Sequence, residues 1–339
     1  LSKYPVLSAE HPIHATPPTR LTRFYWQAGF FVAFALAPIF NLFRFDLNEG
    51  HAYLLGIPWR LGIDAFMLGQ IGPIEAGLNI LLRLFLPIIV AAVGLMFIAW
   101  RWGRIYCGWL CPHFSAVELI NGLMRRASSK PSIWEKQPLP NCKPDGSPLK
   151  QDVRWWLPTL MFAVFFASLW SIVLLTYLLP PTEIYRNLWQ WTLTPNQARF
   201  ISIGTLLLTM EFLFARHLFC RFGCAVGLFQ SLAWMANRGG MVVGFDRLRA
   251  ADCANCRSIG EKNGNANYAA CEAECPMRLR PRQAKHKMFA CTQCSSCLTA
   301  CHTVQQANNA QPLLRWVDKE NAIQHEAQVS LTGHKDKTK

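Results

Sequence analysis

The sequence predicts a mainly α-helical membrane protein, with four transmembrane helices built by duplication of one helix pair and a small cysteine-rich α+β domain after them. Three observations predict it. The chain is 52% hydrophobic and only 16% charged, too apolar for an ordinary soluble domain of 339 residues. No charged residue occurs from 24 to 43, from 84 to 100 or from 155 to 182. Eight of the 13 cysteines fall between 253 and 301.

A polar, proline-containing leader occupies 1–23. A bilayer core requires about 20 apolar residues of a helix, and four stretches meet that need: 24–43, 77–99, 155–178 and 200–219. Pro38, Pro87 and Pro158 lie inside or at the start of these spans, where lipid-embedded helices tolerate proline. The first span has no small-residue cleavage site behind it and reads as a membrane helix, not a signal peptide. Orientation follows from the loops. Residues 101–153 carry eight Lys/Arg and 216–339 carry seventeen, against two each in 44–75 and 180–199. The positive-inside rule puts both termini and the cysteine-rich domain in the cytoplasm. The net charge of +14 is thereby assigned to membrane sidedness and not to nucleic-acid binding. All cysteines fall on the reducing side, which excludes a disulfide scaffold.

Two similar blocks follow the second and fourth spans. One contains Cys107-x3-Cys111-Pro112 and the other Cys220-x3-Cys224-Ala225, and each continues into an apolar-rich helix with a polar flank. The halves read as a parallel repeat about an axis along the membrane normal. That repeat brings Cys107, Cys111, Cys220 and Cys224 together under the C-terminal domain. Four soft thiolates there suit copper(I), zinc or iron, or redox exchange; the alternative is plain packing of helix ends. His113 and His217 lie beside these motifs, and solitary Cys142 receives no role. The membrane domain therefore spans 24–238.

The C-terminal domain, 239–316, carries the sharpest signal. One group is uninterrupted, Cys291-x2-Cys294-x2-Cys297-x3-Cys301. The other, Cys253-x2-Cys256 and Cys271-x3-Cys275-Pro276, is split by fourteen residues. Bacterial ferredoxins use this spacing with the fourth thiolate crossing to the other cluster. Cys253, Cys256, Cys271 and Cys301 are thus expected to hold one 4Fe–4S cluster, and Cys275, Cys291, Cys294 and Cys297 a second. The zinc alternative fits the split group alone but not four cysteines within eleven residues. His302, not proline, follows Cys301. The polar tail from 317 to 339 is expected to be disordered.

The stretches from Gly103 to Pro112 and from Cys220 to Ser231, with the cysteine-rich domain behind them, resemble the membrane-bound polyferredoxins over about residues 24–316. That family includes the NapH subunit of nitrate reductase systems, the membrane part of NosR and the oxidase accessory protein CcoG. Ala225 in place of proline, the split cluster motif and the short C-terminal region depart from its pattern. The resemblance implies a protein of the bacterial inner membrane that relays electrons between the quinol pool, or a respiratory redox complex, and an acceptor. It would be an electron-transfer component of an oxidoreductase system, docked on lipid and a larger assembly. Arg83 and Glu211 in the spans and Asp64 in an external loop are the polar candidates for a quinone site. The CcoG branch implies instead a copper reductase or maturation factor, with copper at the four Cys-x3-Cys thiolates. An iron–sulfur scaffold or redox sensor is the third reading. No Cys-x-x-Cys-His, G-x-G-x-x-G or P-loop motif points to haem, nicotinamide or nucleotide.

Overall fold

The computed structural model describes residues 20–130, 134, 138–215, 217–262, 268–282 and 289–323. Most of the leader, residues 263–267 of the insertion and the tail from 324 lie outside them. The chain divides into two compact units, one made of 1–27, 98–159 and 214–339, the other of 28–97 and 160–213.

Three helices among the described residues are long and apolar enough to cross a membrane: Pro73–Trp102, Val153–Thr176 and Pro195–Ala215. Pro73–Trp102 and Pro195–Ala215 leave nearly all their apolar side chains exposed, Ile88, Ile89, Val93 and Phe97 among them, while Val153–Thr176 buries part of its run. Such a surface is stable only when something other than water covers it, and the backbone satisfies its own hydrogen bonds as a bilayer demands. The first expected span is corrected. Its helix is Arg20–Leu36, 17 residues, and not 24–43; at 1.5 Å per residue it is roughly 26 Å long. Proline at 38 has no N–H to continue the ladder, so the chain turns there and enters a strand at Phe43. The apolar run continues past the break, which hid it.

In the second unit, strands β1 (Phe43–Asp46), β2 (His51–Leu54) and β3 (Ile57–Trp59) form an antiparallel meander. Phe45 and Leu47 N–H groups donate to the Tyr177 and Leu178 carbonyls at 2.9 and 3.0 Å, fixing the meander to the end of a long helix. Phe31 and Phe34 stack on Trp170, and Phe34 also stacks on Tyr177. Thr194 and Gln197 cap the Pro195 helix reciprocally, satisfying two orphan N–H groups. Gly204 permits close packing on Ser171, since a Cβ there would lie 2.8 Å from its Oγ; small residues at such crossings are the usual device in membranes. The helices loosen into π turns at Leu81–Phe85 and Glu211–Ala215.

Buried Asp46 anchors the meander. It accepts from Arg44 Nη1 at 2.6 Å and from the Asn48 and Glu49 N–H groups at 2.9 and 3.3 Å. Burial raises its pKa, but the Arg44 bond and the two backbone donors outweigh it and hold the carboxyl below its ordinary 3.8. A depressed acid stabilises the fold above its ordinary pKa, and the contribution is lost as pH falls through the lower folded value. Asp46→Ala leaves the Arg44 guanidinium buried without its partner, at a cost of about 3 kcal/mol. Thermal unfolding in detergent should show that loss at neutral pH and a smaller one in strong acid; equal stability at pH 7 would contradict it.

In the first unit, the Pro112–Ser128 helix buries Phe114, Val117, Ile120 and Met124, the three-and-four spacing of one apolar stripe. The Ala225–Ala236 helix buries Gly227, Gln230, Ser231 and Trp234 in the same rhythm. Strands β4 (Met241–Phe245) and β5 (Leu314–Asp318) pair antiparallel, Val242 opposite Val317 and Val243 opposite Trp316. The ordered chain continues beyond the expected end of the domain at 316, since Lys319 and Glu320 N–H groups bond the Gly240 and Arg238 carbonyls at 2.9 and 3.0 Å. The helices Ala254–Lys262, Ala270–Ala273 and Ser296–Ala307 complete the cysteine-rich part. It does not stand apart at residue 239: it shares one unit with both Cys-x3-Cys segments.

Candidate metal centre

Two cavities open among the C-terminal cysteines. One is lined by Cys253, Cys256, Cys271 and Cys301, the other by Cys275, Cys291, Cys294 and Cys297. Each holds roughly 330 to 340 Å³ of free space, counting its mouth. The helix explains the division. Cys297 and Cys301 stand four residues apart on the Ser296–Ala307 helix, about one 5.4 Å turn, and serve different cavities. Cys271 and Cys275 repeat this arrangement from the other side.

The loop from Cys291 to Cys297 is tightly curled. Gln293 and Ser295 have φ of 49° and 62°, a left-handed conformation costly for residues with a Cβ. Distant parts of the unit hold it. The Arg104 N–H donates to Gln293 Oε1 at 2.7 Å and Trp109 Nε1 to the Gln293 carbonyl at 3.1 Å. Arg23 donates to the Cys294 carbonyl at 2.9 Å and to Ser296 Oγ at 2.8 Å, and is ion-paired with Glu118. Gly108 lies against the loop so closely that a Cβ would sit 2.2 Å from the Thr292 carbonyl oxygen.

Backbone donors face the sulfurs. Leu279 N–H is 3.4 Å from Cys275 Sγ, Leu313 and Leu314 donate towards Cys301, and Ala270 towards Cys256. Burial pushes the Cys271 and Cys297 thiols well above their ordinary value and Cys275 up to about 12, with neighbouring sulfurs adding to it. Without a bound cation these groups are neutral thiols; metal binding would displace their protons. Arg282 lines the first cavity, held by Glu272 at 2.9 Å.

This donor set fits an iron–sulfur cluster. Each site offers four soft sulfurs, an apolar lining and N–H groups aimed at sulfur, the features that bind such clusters and set their potentials. Zinc would need four sulfurs drawn to about 2.3 Å from one point. Among the described residues no three His, Cys, Asp or Glu side chains converge on a single point.

The Cys-x3-Cys motifs lie in the same unit. Cys111 and Cys224 both occupy the residue before the first turn of a helix, Pro112–Ser128 and Ala225–Ala236, an equivalence that mirrors the duplication. Cys107, Cys111 and Cys224 lie within electrostatic reach of one another. Cys107 Sγ is 3.4 Å from Gln230 Oε1, while Cys220 Sγ lies 3.6 Å from His113 Nδ1. His217 is buried. Cys142, to which the sequence assigned nothing, is fully buried in a core with Cys256 and Tyr268. Of the quinone candidates, Arg83 donates to the Arg60 carbonyl at 3.0 Å, Glu211 opens a π turn and Asp64 lies in the short Ile63–Met67 helix. Arg23, Arg104 and Gly108 escaped sequence reasoning; Arg104 and Gly108 lie within the first Cys-x3-Cys block, and Arg23 only borders the first apolar run.

A family model described as a 4Fe-4S binding domain matches this chain twice, over residues 84–131 and 196–239. Each match contains one Cys-x3-Cys motif and the apolar segment before it. The finding supports an iron–sulfur protein of ferredoxin type. No curated protein and no solved structure matches.

Proposed function

We propose that this chain is a membrane-anchored electron-transfer protein carrying two 4Fe–4S clusters, one on Cys253, Cys256, Cys271 and Cys301 and the other on Cys275, Cys291, Cys294 and Cys297. The observation that carries the reading is the pair of cavities, each lined by four cysteines drawn from both sequence groups. Bound clusters would supply one-electron carriers. The protein's own contribution is to hold four thiolates in an apolar wall, direct N–H groups at the sulfurs and exclude water. Arg282 would add a positive charge at the first site, favouring its more negative, reduced form. Four spans, the helix from Arg20 included, would anchor the chain with both termini in the cytoplasm, and a quinol or a respiratory partner would be the electron donor.

Iron, acid-labile sulfide and labelling test this. Anaerobically purified Cys256→Ser/Cys294→Ser protein should lose about eight iron atoms and about eight sulfides relative to wild type, from the cubane stoichiometry. An impermeant thiol reagent applied to intact cells should leave the cysteines unmodified. Stoichiometric zinc without sulfide would sink the cluster reading, and strong labelling of the C-terminal cysteines would reverse the orientation.

A further inference from the structure

The short helix Pro181–Trp189 joins the long helices Val153–Thr176 and Pro195–Ala215, and it ends in an unusual way. The Thr192 N–H bonds the Asn187 carbonyl at 2.9 Å and the Trp191 N–H bonds the Leu188 carbonyl at 3.4 Å, the paired bonds that close a helix through a left-handed residue. Glycine is the usual residue there; here it is Trp191, at φ 57°. A bulky side chain in that conformation is strained. No packing within the chain offsets the strain, because Trp191 is 92% exposed and Trp189, two residues earlier, 88%. Water is a poor medium for two indole rings. They are displayed toward something outside the chain.

The helix beneath them is fixed. Its inner face buries Pro181 and Ile184. Buried Gln197, in the first turn of the next helix, donates to Glu183 at 3.0 Å and accepts from Asn187 at 3.2 Å. Tyr185 is hydrogen-bonded to Thr176, the last residue of the helix before. The Leu178 and Leu179 N–H groups still bond the Leu175 carbonyl, at 3.0 and 2.9 Å, so the connection turns at the helix end instead of reaching away from it. The outer face carries exposed Tyr185, Arg186 and Trp189, with Trp191 just beyond. Both long helices it joins are of bilayer length, which puts this face at the level where a bilayer meets water.

We propose that Trp189 and Trp191 are seated in the headgroup region of the bilayer, so that the Pro181–Trp189 helix lies in the membrane plane and fixes the depth of the two helices it joins. Indole suits that layer because its ring is apolar while its N–H needs a polar partner. Arg186 beside it offers a cation to lipid phosphate. Lipid is favoured over a protein partner because the patch runs into a helix whose own flank is apolar and exposed, Phe200, Ile203 and Leu207 among it, and one medium covers both. The inference rests on the reading of the long helices as membrane-spanning and is independent of the clusters.

The test uses the full chain in phosphatidylcholine nanodiscs. The fluorescence lost in Trp189→Phe/Trp191→Phe isolates these two indoles among the 13 tryptophans. That difference signal should be quenched by lipid brominated near the carbonyl end of its chains, little by lipid brominated near the terminal methyl, and severalfold less by aqueous iodide than an indole in free solution. Trp191→Gly has the residue that the cap prefers; it should fold in detergent at least as stably as wild type yet lose part of the lipid signal, which separates that loss from misfolding. Full iodide quenching with no response to either bromolipid would overturn the proposal, since the patch would then stand in water, open to a protein partner. Quenching by none of the three would also overturn it and place the indoles against a second copy of the chain. If all the tryptophans together show no quenching by the deeply brominated lipid, the long helices do not span, and the membrane reading fails with this inference.

Discussion

Cys275→Ser should remove about four iron atoms per chain, and they should come from the site of Cys291, Cys294 and Cys297. Cys275 belongs by sequence to the other cysteine group, so a linear reading forecasts the opposite loss. The cavity linings decide between them. Cys275 lines the cavity with Cys291, Cys294 and Cys297, whereas Cys271, four residues earlier, lines the other. Serine is nearly isosteric but offers a harder oxygen with a much higher pKa, a poor exchange for a soft thiolate. The matching variant, Cys301→Ser, should spare that site and damage the one holding Cys253, Cys256 and Cys271. Spectra of the two reduced variants should therefore be complementary. Loss of the same signal from both would show that the quartets are wrongly divided.

The second large effect belongs to a residue with no functional group. Gly108→Ala would place a methyl carbon 2.2 Å from the Thr292 carbonyl oxygen and 3.1 Å from the Cys294 backbone. Those neighbours are main chain and cannot rotate away. One of the two segments must shift, at a cost of about 3 kcal/mol. The Thr292–Cys294 loop already carries a left-handed residue, Gln293 at φ 49°, so it is the segment with least tolerance. Cluster occupancy at Cys291 and Cys294 should fall severalfold, while the Cys253 site is retained. Iron content and the reduced spectrum of Gly108→Ala read both outcomes. Normal occupancy would mean that the contact is slack and the loop is held from elsewhere.

The cysteine chemistry was legible because it is local. Four-residue spacing on a helix places Cys297 and Cys301 one turn apart whatever the rest of the chain does, whereas Cys271 and Cys275 are separated by the end of the short Ala270–Ala273 helix. The long helices were legible because each carries an apolar run of bilayer length with few charges inside it. The first span misled because Phe40 and Leu42 extend the apolar run past the turn at Pro38. What the sequence concealed is long-range. Arg104 meets Cys220 across 116 residues and Gln293 across 189, and Arg23 reaches Ser296 across 273. No periodicity encodes those meetings. Gly227 in an apolar helix reads as a mild weakness until the Arg104 side chain is found in the space it leaves. Likewise, nothing in the sequence marks Leu314–Asp318, which straddles the expected start of the tail at 317, as a strand; the pairing of Trp316 and Val317 with Val243 and Val242 does.

The central claim is that crossed-over thiolates hold two clusters side by side. Low-temperature electron paramagnetic resonance of the fully reduced, anaerobically purified protein tests it most directly. Neighbouring reduced clusters should give signals broadened and split by mutual magnetic coupling, and Cys275→Ser should collapse them to the simpler pattern of an uncoupled centre. A reduced protein silent in resonance, or one whose uncoupled spectrum Cys275→Ser leaves unchanged, would contradict the account.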